Sequence, residues 1–298
     1  MKYLIKISVL SALVVSLSQC VRLDGLLFNP YTDIEEYTFD DFSFDHYSFF
    51  SLDASHTIPD SLIHLFTLET DNAETIYVEY IGEISKIATD TVILYCHGNT
   101  GHMDTYWQRA KLLANVGGKN HYGVLTLDYQ GFGLSSGTPG ESKMYSDVDQ
   151  TMQWLKTNGL TDDRLIMYGF SLGTASTCEL TSKPRTLTPS KIILEAPFAS
   201  AEVMIADGSL LDMPASYVVN LKIDNAEEIK NINQPLLWMH GNKDDFLQMT
   251  THGQVVYDNH NGTYKQAVIA DGGEHSTIPQ TLGIESYKQI VLDFITKH

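Results

Sequence analysis

The chain has 298 residues, 43% of them hydrophobic and 10% aromatic, enough to bury a sizeable core in one α/β domain or two small ones. Acidic residues outnumber basic ones 37 to 19, for a net charge of −18. No cluster of lysine and arginine interrupts that acidity, which argues against a nucleic-acid partner.

Residues 1–20, MKYLIKISVLSALVVSLSQC, start basic with Lys2 and Lys6, continue through an apolar centre at 7–17 and end on a cysteine. That order predicts an export signal over residues 1–19, its apolar centre too short for the roughly 20 residues a membrane-spanning helix needs. Its removal takes away two lysines and no acid, deepening the net charge from −18 to −20. Leu17-Ser18-Gln19-Cys20 resembles a bacterial lipobox, in which the cysteine becomes an acylated N-terminus. Gln19 stands where that pattern has a small residue, so an ordinary cleaved signal is the alternative.

Residues 20–60 read as an acidic, aromatic tether or arm bracketed by Pro30 and Pro59, with Tyr37, Phe39, Phe42, Phe44, Tyr47 and Phe49 set among acids. An extended arm whose rings pack on the domain is preferred to a substrate or partner surface. The domain itself is expected over 61–298.

From there strands alternate with helices, the pattern of a sheet covered on both faces. Strands are expected near 62–69, 75–81, 91–96, 123–128, 164–169, 191–195, 235–240 and 264–270. Helices are expected near 103–116, 141–158, 171–182, 249–260 and 282–296. The short Asp71-Asn72 connection makes the first two strands an antiparallel hairpin. VILYC, RLIMY and KIILE are apolar nearly throughout, as strands buried on both faces are. Cys96 and Cys178 read as buried free thiols.

Within this frame Gly169-Phe170-Ser171-Leu172-Gly173 joins an apolar strand to a helix-forming run. A turn that tight needs glycine where a side chain would strike the neighbouring strand or helix, and it pushes the serine oxygen outward. Ser171 is the candidate nucleophile, and the N–H of Leu172, at a helix start, points where an oxyanion would form. Gly133-Leu134-Ser135-Ser136-Gly137 has the same spacing, but Thr138-Pro139-Gly140 follows, so no helix can start at Ser135. A general base and an acid should emerge from strand ends on the same sheet edge. The loops Gly241-Asn242-Lys243-Asp244-Asp245 and Asp271-Gly272-Gly273-Glu274-His275 both do so, and the order Ser171, Asp244, His275 is that of a serine, acid, histidine hydrolase. His252 and His260 fall in a predicted helix and His298 is terminal, which leaves His275 directly after the last strand. No metal-ligand spacing is visible.

Six motifs in order carry a resemblance: CHGN at 96–99, DYQGFGLSSG at 128–137, GFSLG at 169–173, EAPF at 195–198, HGNKDD at 240–245 and GGEHS at 272–276. Over residues 61–298 the chain resembles α/β-hydrolases of the short-capped branch that includes serine-aminopeptidase-like and lipid-esterase-like enzymes. The resemblance implies a mostly parallel eight-stranded sheet with helices on both faces, and a short cap at about 201–231. It also implies Ser171 as nucleophile, Asp244 rather than Asp245 as acid, His275 as base, and oxyanion donors from the backbones of Leu172 and Asn99. His97 is expected to be structural. Met204, Ile205, Leu210, Leu211 and Met213 are either substrate contacts or core. The expected activity is cleavage of carboxylic esters or thioesters, lipid or acyl-protein among them, with no cofactor. Alternatives are an exopeptidase of the same branch, or an envelope lipoprotein that binds rather than cleaves. The expected location is the bacterial cell envelope, by a lipid on Cys20.

Overall fold

Runs such as VILYC, LIMYGF and KIILE have no polar face, and they are stable as strands only where helices cover both sides of a sheet. A computed structural model, which describes residues 27–42, 50–208 and 220–298, places these runs side by side at the centre of an eight-stranded sheet. The strands are β1 (Asn29–Pro30), β2 (Ile63–Glu69), β3 (Thr75–Ile81), β4 (Val92–Cys96), β5 (Thr100–Gly101), β6 (Gly123–Leu127), β7 (Leu165–Phe170), β8 (Lys191–Glu195), β9 (Leu236–Gly241) and β10 (Lys265–Ala270). The helices are α1 (Met103–Ala114), α2 (Glu141–Thr157), α3 (Gly173–Ser182), α4 (Ala201–Gly208), α5 (Asn225–Glu228), α6 (Gly253–Asn259), α7 (Ile278–Leu282) and α8 (Ile284–Lys297).

The large sheet runs β10-β9-β8-β7-β4-β6-β3-β2. The hairpin β2–β3 is antiparallel with Ile63 opposite Ile81, β3–β6 is antiparallel, and every other neighbouring pair is parallel. Alternate residues of each strand feed two cores. Val92, Leu94 and Cys96 of β4 pack with Met144 and Val148 of α2 and Ala175 and Cys178 of α3. Ile93 and Tyr95 pack with Trp107 and Ala110 of α1 and Val291 and Phe294 of α8.

Two helices differ from expectation. The expected helix at 282–296 is a pair, α7 and α8, broken at Gly283, whose φ of 80° ends the first helix where a side chain would be strained. The expected helix at 249–260 begins only at Gly253, where the backbone runs so close to His240 that a Cβ would collide with its ring.

The stretch before residue 61 is an arm lying against the domain, not a free tether, wherever it is described. Leu27 and Phe28 join the first core, and Phe50 and Ile58 the second. Tyr37 is buried, Phe39 lies 5.0 Å from Trp107, and Phe42 lies 4.9 Å from His102. The rings turn inward while Asp40 turns out to Lys111, which accounts for the interleaving of aromatics and acids. β1 adds a two-stranded parallel sheet with β5 that the sequence had not suggested. Phe44, Tyr47 and Phe49 lie outside the described residues, as do residues 1–19, Cys20, Leu210, Leu211 and Met213. Of the cap, α4 and α5 are described; Ile205 is core, and Met204 is partly buried against it.

Candidate active site

The loops that follow β4, β7, β9 and β10 meet at one edge of the sheet, and the turn after β7 decides what they meet around. A Cβ on Gly169 would come within 2.7 Å of Gly173 O and of Thr174 Cα, and one on Gly173 would strike the carbonyl of Cys96. Strand β7 and helix α3 can approach this closely only without those side chains. The turn forces Ser171 to a φ of 51°, a conformation costly for a residue with a side chain. Glu195 O accepts the Ser171 N–H at 3.0 Å, and Ser171 O accepts from Thr174 N at 3.0 Å and Thr174 Oγ1 at 2.6 Å. These bonds fix the serine with its hydroxyl projecting over the edge.

His275 Nε2 lies 2.9 Å from Ser171 Oγ, and His275 Nδ1 lies 2.7 Å from Asp244 Oδ2. Asp244 Oδ1 accepts the N–H groups of Phe246 at 3.1 Å and Leu247 at 2.7 Å. Burial works against ionisation of Asp244, but hydrogen bonds from His240 and His275, the field of His275 and the Leu247 N–H together hold its pKa well below the ordinary carboxylate value. Asp245 beside it is exposed. The bonded imidazole therefore faces an ionised carboxylate on one side and a hydroxyl on the other, the arrangement that lets a serine oxygen lose its proton as it attacks.

The other expected residues fall as follows. Leu172 is the N-cap of α3, so its N–H precedes the first helical turn, and Asn99 lines the same pocket as Ser171. His97 is fully buried, with Nδ1 2.8 Å from Gly98 O and Nε2 3.2 Å from Asp128 Oδ1, and its own carbonyl accepts the Tyr129 hydroxyl at 2.9 Å. Ser135 stands apart from this group: its hydroxyl donates to Asp128 O at 2.7 Å and accepts Tyr77 N–H at 2.9 Å. Cys96 and Cys178 are buried free thiols, and burial pushes the Cys96 thiol up to about 12. Among the described residues no group of histidine, cysteine and carboxylate side chains is placed to hold a metal ion.

A pocket of about 270 Å³ opens on one side of Ser171, lined by Asn99, Thr100, Tyr106, Phe170, Phe246 and His275 among others. A smaller cleft on the other side is lined by Leu27, Leu172, Phe198 and Met204. Asn99 and Phe246 border both.

Comparison with known proteins fits this geometry. Residues 88–229 match the family described as serine aminopeptidase, S33. An esterase of Pyrococcus furiosus superposes with a TM-score of 0.67 at 16% identity, over 91% of this chain and 98% of that one. The Butyrivibrio proteoclasticus protein Est1E, solved with ferulic acid bound, superposes at 0.60 with 17% identity, over 78% and 98%. Alpha/beta hydrolase domain-containing protein 17C of Mus musculus is 28% identical over 167 residues, which is 56% of this chain and 48% of that protein. The chain has the α/β-hydrolase fold. It spans about half the length of the 17C relatives it matches. A putative alpha/beta hydrolase of Acanthamoeba polyphaga mimivirus is 26% identical and aligns over 76% of this chain and 82% of that one.

Two further parts of this site were not expected from the sequence. His240 Nε2 lies 3.3 Å from Asp244 Oδ2 and 2.9 Å from Leu247 O, so a second imidazole braces the acid. Beneath His275, Arg109 is buried and pairs with Glu195 at 2.6 and 2.7 Å, donates to Ser276 O at 2.8 Å, and stacks on Phe170 at 4.2 Å. Tyr168 donates to the same carboxylate and meets the Tyr287 hydroxyl at 2.6 Å. The available signal was a charge at the end of the buried strand KIILE, since a buried carboxylate requires a partner.

Proposed function

We propose that this α/β-hydrolase fold carries a serine hydrolase that cleaves carboxylic esters or thioesters through an acyl-enzyme on Ser171. The observation that carries the reading is the continuous contact from Asp244 through His275 to Ser171, at 2.7 and 2.9 Å. Ser171 Oγ attacks the carbonyl carbon while its proton passes to His275 Nε2. The carbonyl oxygen gains the electron pair and is held by the N–H groups of Leu172 and Asn99. Collapse expels the alcohol or thiol, which takes the proton from His275, and a water activated by the same imidazole then releases the acid. Asp244 stays ionised throughout and stabilises the imidazolium.

The 270 Å³ pocket, at the small end of the usual range of about 300–1,000 Å³, is lined by neutral groups and the His275 ring, with three aromatic rings from Tyr106, Phe170 and Phe246. This supports an apolar acyl or alcohol group. The match to a family named for an aminopeptidase supports a second reading, cleavage next to a free amine. An ammonium group calls for a carboxylate or a set of carbonyls, and no carboxylate lines either pocket among the described residues. The test is labelling by a fluorophosphonate mapped to Ser171, followed by graded p-nitrophenyl esters and thioesters against aminoacyl amides. Labelled enzyme that cleaves only the amides would replace the ester reading with the exopeptidase one, and an unlabelled chain would remove both.

A further inference from the structure

The loop that carries Asn99 leaves the main sheet after Cys96, and its backbone bonds are completed by the N-terminal arm. Asn29 N–H donates to Asn99 O at 3.3 Å and to Asn99 Oδ1 at 2.5 Å, and Tyr31 N–H donates to Gly101 O at 3.2 Å. These are the bonds of the two-stranded sheet β1–β5. The Tyr37 hydroxyl donates to Asp128 Oδ2 at 2.6 Å and accepts Leu134 N–H at 3.1 Å, while Asp128 Oδ1 faces His97. Asp104, just past the loop, accepts Thr38 N–H at 2.6 Å and Phe39 N–H at 3.0 Å. Leu27, at the start of the described arm, is 1% exposed and borders the cleft beside Ser171 and Leu172.

Of these partners, Asn99 and Gly101 lie in the stretch after β4, Asp104 in the first turn of α1, and Asp128 and Leu134 in the loop after β6. An arm that served only to cover apolar surface would not need its backbone donors aimed at the loop holding the oxyanion donor. We propose that residues 27–42 are a positioning element of the oxyanion hole: by pairing with the loop at 99–101, the arm sets the direction of the Asn99 N–H. The proposal rests on the assignment of Asn99 as an oxyanion donor in the serine-hydrolase reading. An oxyanion donor acts mainly in the transition state, so misplacing it lowers kcat more than it raises KM.

The test uses the full chain and one backbone hydrogen. The Asn29 side chain is exposed and the residue lies in β1, so Asn29→Pro deletes the N–H and sets a ring carbon against the Asn99 oxygens that it bonds. Asn29→Ala keeps the N–H and is the conservative control. Active sites are first titrated with a fluorophosphonate, so that a loss of folded protein is not read as a loss of rate. The expected result for Asn29→Pro is a kcat per titrated site lowered about tenfold with KM within about twofold of wild type, short of the roughly 10²–10³-fold for removing a donor outright. Affinity for a trifluoromethyl ketone that forms a tetrahedral adduct on Ser171 should fall in parallel, and Asn29→Ala should retain both. If Asn29→Pro fails to fold, Tyr37→Phe, which releases the arm's hold on Asp128 opposite His97 rather than the 99–101 pairing, is measured in the same way, and wild-type kcat per site in that variant also overturns the arm's positioning role. A proline variant with wild-type kcat per site, or an alanine variant equally slow, overturns the positioning role. Failure of wild type to label at Ser171 would instead remove the serine-hydrolase reading, and this proposal with it.

Discussion

Ser171 holds a backbone angle that costs a non-glycine residue about 1–3 kcal/mol, and its side chain is what that strain presents to the pocket. Ser171→Ala and Ser171→Gly should both lower ester turnover by on the order of 10⁴-fold. Only the glycine variant relieves the strain, so it alone should unfold at higher denaturant than wild type, by roughly 1 kcal/mol. Ser135→Ala should leave turnover unchanged yet lower stability by about 1 kcal/mol, because its buried hydroxyl bonds Asp128 O and Tyr77 N–H. Turnover lost in Ser135→Ala but kept in Ser171→Ala would move the nucleophile. For the acids, Asp244→Asn should lower kcat far more than Asp245→Asn, since only the first touches His275. The folded pKa of Asp244 is depressed, so its charge contributes stability that is fully present above the unfolded carboxylate pKa and is lost as pH falls through the folded value. The stability gap between wild type and Asp244→Asn should therefore be widest near neutral pH and close below about pH 4. A gap constant down to pH 2 would contradict the depressed pKa.

At the scale of elements, what the sequence showed depended on period. The parallel strands were legible because runs such as VILYC have no polar face, and the elbow because Gly169 and Gly173 have a steric cause that the structure displays. β1 and β5 were not legible, since two residues have no period. The break at Gly283 was missed because apolar residues continue on both sides of it. Charge inside a strand was the signal left unused: Glu195 closes β8 and is neutralised by Arg109 from α1, 86 residues away in sequence, a distance that pattern reading does not cross. Arg109→Met should leave that carboxylate buried and unpaired, at a cost of roughly 3–5 kcal/mol in chemical denaturation. Adding Glu195→Leu should recover much of the loss, because replacing both partners by apolar groups leaves no orphaned charge. A double variant no more stable than Arg109→Met would show that the pair is not the source of the cost. Because Arg109 also holds Ser276 O, next to His275, turnover need not return with stability.

Over the whole molecule, the docked arm changes what an anchor would do. Among the described residues no helix is long and apolar enough to cross a membrane, and a charge of −20 after loss of residues 1–19 would be repelled by an anionic bilayer. We propose export and acylation of Cys20, a residue outside the described part of the chain, as the means of attachment. A free tether over residues 20–60 would have let the site range widely. With Leu27 fixed beside the Ser171 cleft, only residues 21–26 separate the lipid from the domain, and seven steps of at most about 3.3–3.6 Å reach roughly 25 Å. With Cys20 acylated, so short a link would hold the mouth of the pocket, with exposed Phe246 at its rim, close to the bilayer surface. Cys20→Ser should move the protein to the soluble fraction and leave hydrolysis of a soluble ester unchanged. Hydrolysis of the same acyl group presented in vesicles should fall sharply, because the anchor and the short link no longer hold the site there. Lengthening the link by a 30-residue Gly/Ser insertion after Val21 should keep the protein on the membrane while lowering the vesicle rate, since effective concentration falls as a flexible link grows beyond its span. Intact mass of the mature chain decides the premise: an N-terminus other than acylated Cys20 removes the anchor, and an insertion variant with an undiminished vesicle rate removes the importance of the short link.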